Sequence, residues 1–127
     1  MDFTANANRL GVTFKNLELL EEAFTHRSYL NEHKSAKAHN ERLEFLGDAV
    51  LELSATQFLF NRFPLHAEGD LTAYRAALVN TYSLAETAEA LGINDMLLLS
   101  RGVARDKGRA RQIILANALE AFIGALY

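Results

Sequence analysis

Three carboxylates carry the first chemical signal. Glu41, Glu44 and Asp48 fall at i, i+3 and i+7 within NERLEFLGDAVLE, residues 40–52. At 3.6 residues per turn, that spacing puts all three on one face of a helix. Leu43, Leu46, Val50 and Leu53 form a separate apolar stripe. Like charges at these spacings repel by a few tenths of a kcal/mol per exposed pair. An acidic face beside an apolar stripe therefore points to a cation close by. Gly47 sits inside the same helix, at a cost of up to about 1 kcal/mol against alanine. Close approach of another backbone or side chain would explain it. A fourth carboxylate, Glu120, follows Asn117 at i+3 in IILANALEAFIGALY, residues 113–127. This segment is apolar nearly all round, the pattern of a central buried helix. A carboxylate there needs a partner, either one of the nearby arginines or a metal, and the spacing leaves both open. Oxygen-only donors from two helices suit a hard cation such as Mg²⁺ or Mn²⁺. Neither helix has the Glu-x-x-His pair of a di-iron bundle.

The elements that must position these groups read as all-α. There is one proline, Pro64, and no segment alternates like a strand between turn residues. A first helix is expected over 16–24, followed by THRSYL and a polar loop over 31–39. Asn40 is expected to cap a long helix that runs to about Phe63 and stops at Pro64. A turn over 67–70 leads to a helix over 71–80. Thr81 caps the next helix, which ends at Gly92. Residues 100–112 form a basic stretch with two glycines, and a last helix starts near Arg111. The chain stops within apolar IGALY, which reads as a fragment of something longer.

Composition narrows the function classes. A length of 127 residues accommodates one domain, and 50% hydrophobic with 23% charged residues argues against disorder. The absence of cysteine excludes disulfide scaffolds, thiolate zinc sites and cysteine nucleophiles, and it fits a reducing compartment. No signal peptide or membrane helix is evident, so the expectation is a cytoplasmic protein with no membrane partner. The net charge of −3 supplies no bulk basic field. Nucleic-acid binding would have to be local or use a metal.

HNERLEFLGDAVLELSATQFLFNRFP, residues 39–64, resembles the signature helix of the ribonuclease III catalytic domain. The similarity continues through FTHRSYLNE (24–32), AEGDLTAYRAALVN (67–80) and IILANALEAFIGALY (113–127), in the family's order and spacing. It covers nearly the whole chain. The resemblance implies an all-helical endonuclease domain over 1–127, without the usual double-stranded-RNA-binding domain and truncated before its last helix. It also implies a homodimer that cuts double-stranded RNA with Mg²⁺, or with Mn²⁺ in its place, and uses no organic cofactor. Such a reaction leaves 5′-phosphate and 3′-hydroxyl ends with short 3′ overhangs, as in the processing of ribosomal and other RNAs. By position, Glu44, Asp48 and Glu120 match the family's metal-binding carboxylates, with Asp48 and Glu120 central to catalysis. Glu41 and Glu68 match acidic positions of the cleft, and Phe45, Leu46 and Gly47 match dimer contacts.

The remaining metal-ligand position is normally aspartate and is Asn117 here. Its carbonyl oxygen can still coordinate Mg²⁺, but one negative charge is gone. At an effective dielectric of about 20 and a separation of about 4 Å, this removes up to a few kcal/mol of gross attraction. Three readings stand: a tolerated natural variant, an engineered substitution, or a catalytically weakened or silent RNA-binding domain. Retention of Glu44, Asp48 and Glu120 favours the first.

RGVARDKGRARQ, residues 101–112, carries Arg101, Arg105, Lys107, Arg109 and Arg111 against one acid, Asp106. These are candidates for phosphate contacts. Arg75 and Lys37 read as surface charges, His26 as a structural hydrogen-bonding residue, and the tyrosines as packing residues with polar tips.

Overall fold

The computed structural model describes all residues 1–127. The chain forms eight α-helices and no strands: α1 (Phe3–Leu10), α2 (Leu17–Ala23), α3 (Arg27–Glu32), α4 (Glu41–Arg62), α5 (Glu68–Leu78), α6 (Thr81–Ala90), α7 (Arg101–Arg105) and α8 (Arg109–Leu126). A 3₁₀ turn over Ile93–Met96 joins α6 to the segment before α7. The expected all-α class is what the chain adopts. No helix is long and apolar enough to cross a membrane.

The helix α8 is the central element. Leu115, Ala116, Ala118, Leu119, Ala121 and Phe122 are buried on several sides, as its apolar composition requires. The helix packs most extensively against α4 and next against α6, with α2 also in contact. Phe122 stacks obliquely on Phe14 and Phe24, with ring centroids 6.5 and 5.8 Å apart. Leu20, Phe24, Ile93 and Met96 complete the fully buried centre.

Two glycines set how closely α4 and α8 approach. A Cβ at Gly47 would stand 1.6 Å from the carbonyl oxygen of Glu120. One at Gly124 would stand 2.2 Å from the carbonyl oxygen of Leu43. Backbone therefore meets backbone at both points, and no other residue type fits. The expected close approach at Gly47 is present, and the neighbour is α8.

Several short elements depart from the sequence expectation. The N-terminal α1 and the five-residue α7 are not among the expected helices, and both are short. The helix expected over 71–80 begins at Glu68, so the supposed turn is its first turn. Asn80, not Thr81, caps α6, its side chain accepting from the N–H of Ser83 at 2.9 Å. Asn40 precedes α4 but makes no side-chain cap. Instead, its buried Nδ2 donates to the Ala23 carbonyl at 3.1 Å and its N–H to the Thr25 carbonyl at 2.9 Å. Asn40 thus fastens the start of α4 to the end of α2. Thr25 and Leu98 form an isolated parallel bridge, with the His26 N–H donating to Leu98 O and the Leu98 N–H to Phe24 O.

Candidate functional site

The glycine contact between α4 and α8 brings two acidic faces together. Glu41, Glu44, Phe45 and Asp48 from α4, with Asn117 and Glu120 from α8, line one open cleft of about 550 Å³. The reason is local. Gly47 precedes Asp48 by one residue and rests on the backbone of Glu120 itself. Wherever α8 is held against α4 at that point, the side chains of Asp48 and Glu120 flank the contact.

The crowding shows in the protonation of these acids. Glu120 is pushed up to about 8 by partial burial, by a hydrogen bond to Asp48, and by the charges of Asp48 and Glu44. The crowding favours the neutral carboxyl of Glu120 over its carboxylate. Burial, reinforced by Glu41 and Asp48, also raises Glu44. One proton is thus the local means of relieving excess negative charge. Of the alternatives open for Glu120, pairing with an arginine is not the one observed: no arginine forms a salt bridge to it.

The donor set is all oxygen, three carboxylates and one amide carbonyl, which fits a hard divalent cation in type and charge. No three of the chain's acidic or histidine side chains already converge as a closed metal cage. Mg²⁺ does not ask for one, because it keeps several waters and takes one or two carboxylates together with substrate phosphates.

A second groove, of about 240 Å³, adjoins the cleft and shares Glu41, Glu44 and Asn117 with it. His26, Arg27, Asn40, Ile113 and Ile114 complete its lining. His26 caps α3 by accepting at Nδ1 from the N–H of Ser28 at 3.1 Å, and the Ser28 Oγ lies 2.7 Å from the same nitrogen. The ring is thereby fixed, as the structural reading of His26 expects. Burial and the neighbouring Arg27 lower its pKa, opposed in part by Glu41.

Glu68 stands apart from this cleft. It opens α5 and lines a different groove between α4 and α5, with Thr56, Leu59, Phe60 and Arg75. Within one chain it is not brought to Asp48 and Glu120. Among the three residues matched to dimer contacts, Phe45 is 83% exposed and Leu46 partly exposed, whereas Gly47 is buried against α8 of the same chain. Arg101, Arg105, Lys107 and Arg109 are all exposed and none is in a salt bridge. Arg75 pairs with Glu52 at 3.6 Å, and Lys37 with Glu18 at 3.8 Å, as surface charges do. Tyr74 packs on Phe63, with centroids 5.3 Å apart.

Comparison with known proteins bears on the same residues. The family model for ribonuclease-III-like domains matches residues 16–127. Ribonuclease 3 of Geobacillus kaustophilus is 53% identical over 122 residues, which is 94% of this chain and 49% of that protein. Ribonuclease 3 of Bacillus cytotoxicus is 52% identical over 98% of this chain and 51% of its own length. The chain therefore spans about half the length of the curated relatives it matches. Among solved structures, the nuclease domain of ribonuclease III from Campylobacter jejuni superposes with a TM-score of 0.87 at 44% identity, over 98% of this chain and 84% of that one. That structure was described for flexibility in a region involved in dimer formation. Dicer from Pichia stipitis superposes with a TM-score of 0.67 at 34% identity, over 91% of this chain and 47% of that one.

Proposed function

The chain belongs to the ribonuclease III family, and we propose that it is the catalytic domain of an endoribonuclease that cuts double-stranded RNA with Mg²⁺. The observation that carries this reading is the cleft in which Glu44, Asp48, Asn117 and Glu120 face one another across the α4–α8 contact. Alone, these carboxylates would repel a phosphodiester. A bound divalent cation would supply the positive charge that draws in the phosphate, acidifies the attacking water and stabilises the leaving 3′ oxygen.

Each residue of the cleft has a part in this reading. The carboxylates of Glu44 and Asp48 and the side-chain carbonyl of Asn117 would hold the cation. Glu120, in the same cleft, would be a further oxygen donor to it. Glu41 keeps the mouth of the cleft acidic. Arg101, Arg105, Lys107 and Arg109 take backbone phosphates beyond it. The proposed products carry 5′-phosphate and 3′-hydroxyl ends with short 3′ overhangs, the outcome of paired sites acting on opposite strands.

Pairing of two copies is part of the proposal. Leu46, Leu53 and Phe60 recur every seventh residue along the outer side of α4, beside the exposed Phe45. Apolar side chains gathered on one exposed face favour association. Glu68, remote from the carboxylates of its own chain, shares a groove with Phe60 near the C-terminal end of α4. The proposed setting is cytoplasmic RNA processing, including that of ribosomal precursors.

A second reading rests on Asn117. With one negative charge fewer, the domain would bind structured RNA and cut it slowly or not at all. The experiment is incubation of a long double-stranded RNA with this chain and Mg²⁺ at low salt, followed by analysis of product ends. Cuts with 5′-phosphate ends and 3′ overhangs support the nuclease. Binding without cuts, at any Mg²⁺ concentration, supports the silent domain.

A further inference from the structure

Arg111 is the most deeply buried charged side chain, only 8% exposed at the start of α8. It has no carboxylate partner. Nη1 donates to Asn94 Oδ1 at 2.9 Å. Nη2 donates to the carbonyls of Ala104 at 2.9 Å and Val103 at 3.4 Å. Its Nε has no partner. A buried guanidinium answered only by neutral oxygens is a poor way to gain stability, since an apolar residue of similar volume often serves better. Its bonds have a specific address, however. Val103 and Ala104 lie in the last turn of α7, where the helix dipole favours a cation, although the Val103 carbonyl also accepts the Asp106 N–H at 3.0 Å.

The other end of α7 is tied as well. The Ser100 N–H donates to Ser28 Oγ at 3.0 Å. The Arg101 N–H donates to both carboxylate oxygens of Glu32, at 3.2 and 3.3 Å. Ser28 is in turn bonded to His26, which lines the groove beside Glu44 and Asn117. A five-residue helix could not hold its shape alone. Here it is fastened at both ends, and the side chains it presents are the unpaired cations Arg101 and Arg105, with Lys107 and Arg109 just after. Arg111 precedes Asn117 and Glu120 by six and nine residues on α8, or about 9 and 14 Å along the axis at about 1.5 Å per residue.

We infer that Arg111 is a positioning residue: it and Glu32 clamp α7 so that Arg101 and Arg105 meet RNA phosphates at a fixed distance from the carboxylate cleft. This rests on the double-stranded-RNA reading above. Arg111 itself touches no RNA in this account.

The test measures binding of a short double-stranded RNA to the chain without divalent cation, across a salt series, and then Mg²⁺ cleavage. Arg101→Ala with Arg105→Ala should weaken binding about tenfold and flatten the slope of log affinity against log salt. Arg111→Lys, which keeps the charge but not the fork, should weaken binding several-fold. It should raise KM with little change in kcat, and it should add little when combined with the double alanine variant. Glu32→Gln frees the other end at an exposed site and should act in the same direction, so the inference does not depend on a core variant folding. If the Arg111 and Glu32 variants shift only thermal stability and leave affinity, salt slope and KM unchanged, the inference is overturned. Full additivity with the alanine variant also overturns it. If the parent chain binds RNA but the alanine variant is inert, the clamp falls and the nuclease reading stands. If the parent binds no double-stranded RNA at low salt, both fall.

Discussion

The α4–α8 seam and the α7 arm lie on the same central helix, yet they are held by opposite means. At the seam, Gly47 and Gly124 let backbone touch backbone, leaving no room for even one methyl group. Negative charge is forced together there, and with partial burial it pushes the Glu120 carboxyl up to about 8. At the arm, a short helix is held by hydrogen bonds that Ser28 and Glu32 accept and Arg111 donates, and its positive charges stand apart in solvent. The contrast is instructive. Groups that must share one cation are set by steric contact, which tolerates no drift. Groups that meet a repeating phosphate backbone are set by polar ties.

The largest expected effect breaks the seam. Gly47→Ala should prevent the native α4–α8 packing and cost more than about 3 kcal/mol, at the upper end of overpacking penalties. Gly124→Ala should behave similarly. Thermal or denaturant unfolding checks both. A native-like midpoint for either would mean that the seam yields more than its geometry suggests.

Next come the charges at the seam. Glu120→Gln and Asp48→Asn should each lower Mg²⁺-dependent cleavage by about 100-fold or more, while binding of RNA without metal stays within about twofold. Single-turnover cleavage and a binding titration separate the two effects. An equal loss of both would point to misfolding of α8 instead.

The protonation of Glu120 gives a signed pH effect. Its folded pKa, about 8, lies above the usual carboxylate value of 4.5. The folded chain therefore holds more protons than the unfolded one between these limits. Stability of the metal-free chain should fall as pH rises from about 4.5 to about 8, and level off above. Glu120→Gln should flatten this dependence, and Mg²⁺ should oppose the loss. A metal-free stability that rises over that window would contradict the crowding of the seam.

The smallest effect on the fold is expected at the exposed rim of the seam. Phe45 is 83% exposed, so Phe45→Ala should change the stability of a single chain by less than about 0.5 kcal/mol. It should nonetheless weaken self-association, as sedimentation would show. Unchanged association would remove Phe45 from the proposed interface.

Much of the seam was legible in the sequence, because helix periodicity and a costly glycine are local signals. Glu41, Glu44 and Asp48 share one face by spacing alone. Gly47 pointed to a close neighbour, and the apolar run around Glu120 to a buried helix. The arm was not legible in the same way. Its basic residues were visible, but its fastening joins Ser28 to Ser100 and Glu32 to Arg101, pairs 72 and 69 residues apart. Arg111 read as one more candidate for a phosphate contact, since nothing in its neighbours says it is buried. Asn40 looked like a helix cap by type and place, and it became instead a buried bridge to α2, a role only tertiary packing assigns. The separation of Glu68 from the other acids likewise depends on how α5 leans on α4.

The central claim is that the four groups facing one another across α4 and α8 form a working cation site despite Asn117. The most direct measurement is the rate of cleavage of double-stranded RNA against Mg²⁺ concentration, for this chain, Asn117→Asp and Glu120→Gln in parallel. The account predicts that the chain cuts, that Asn117→Asp reaches half its maximal rate at lower Mg²⁺, and that Glu120→Gln does not cut appreciably. Bound RNA left intact by both this chain and Asn117→Asp, or cleavage indifferent to Glu120→Gln, would contradict it.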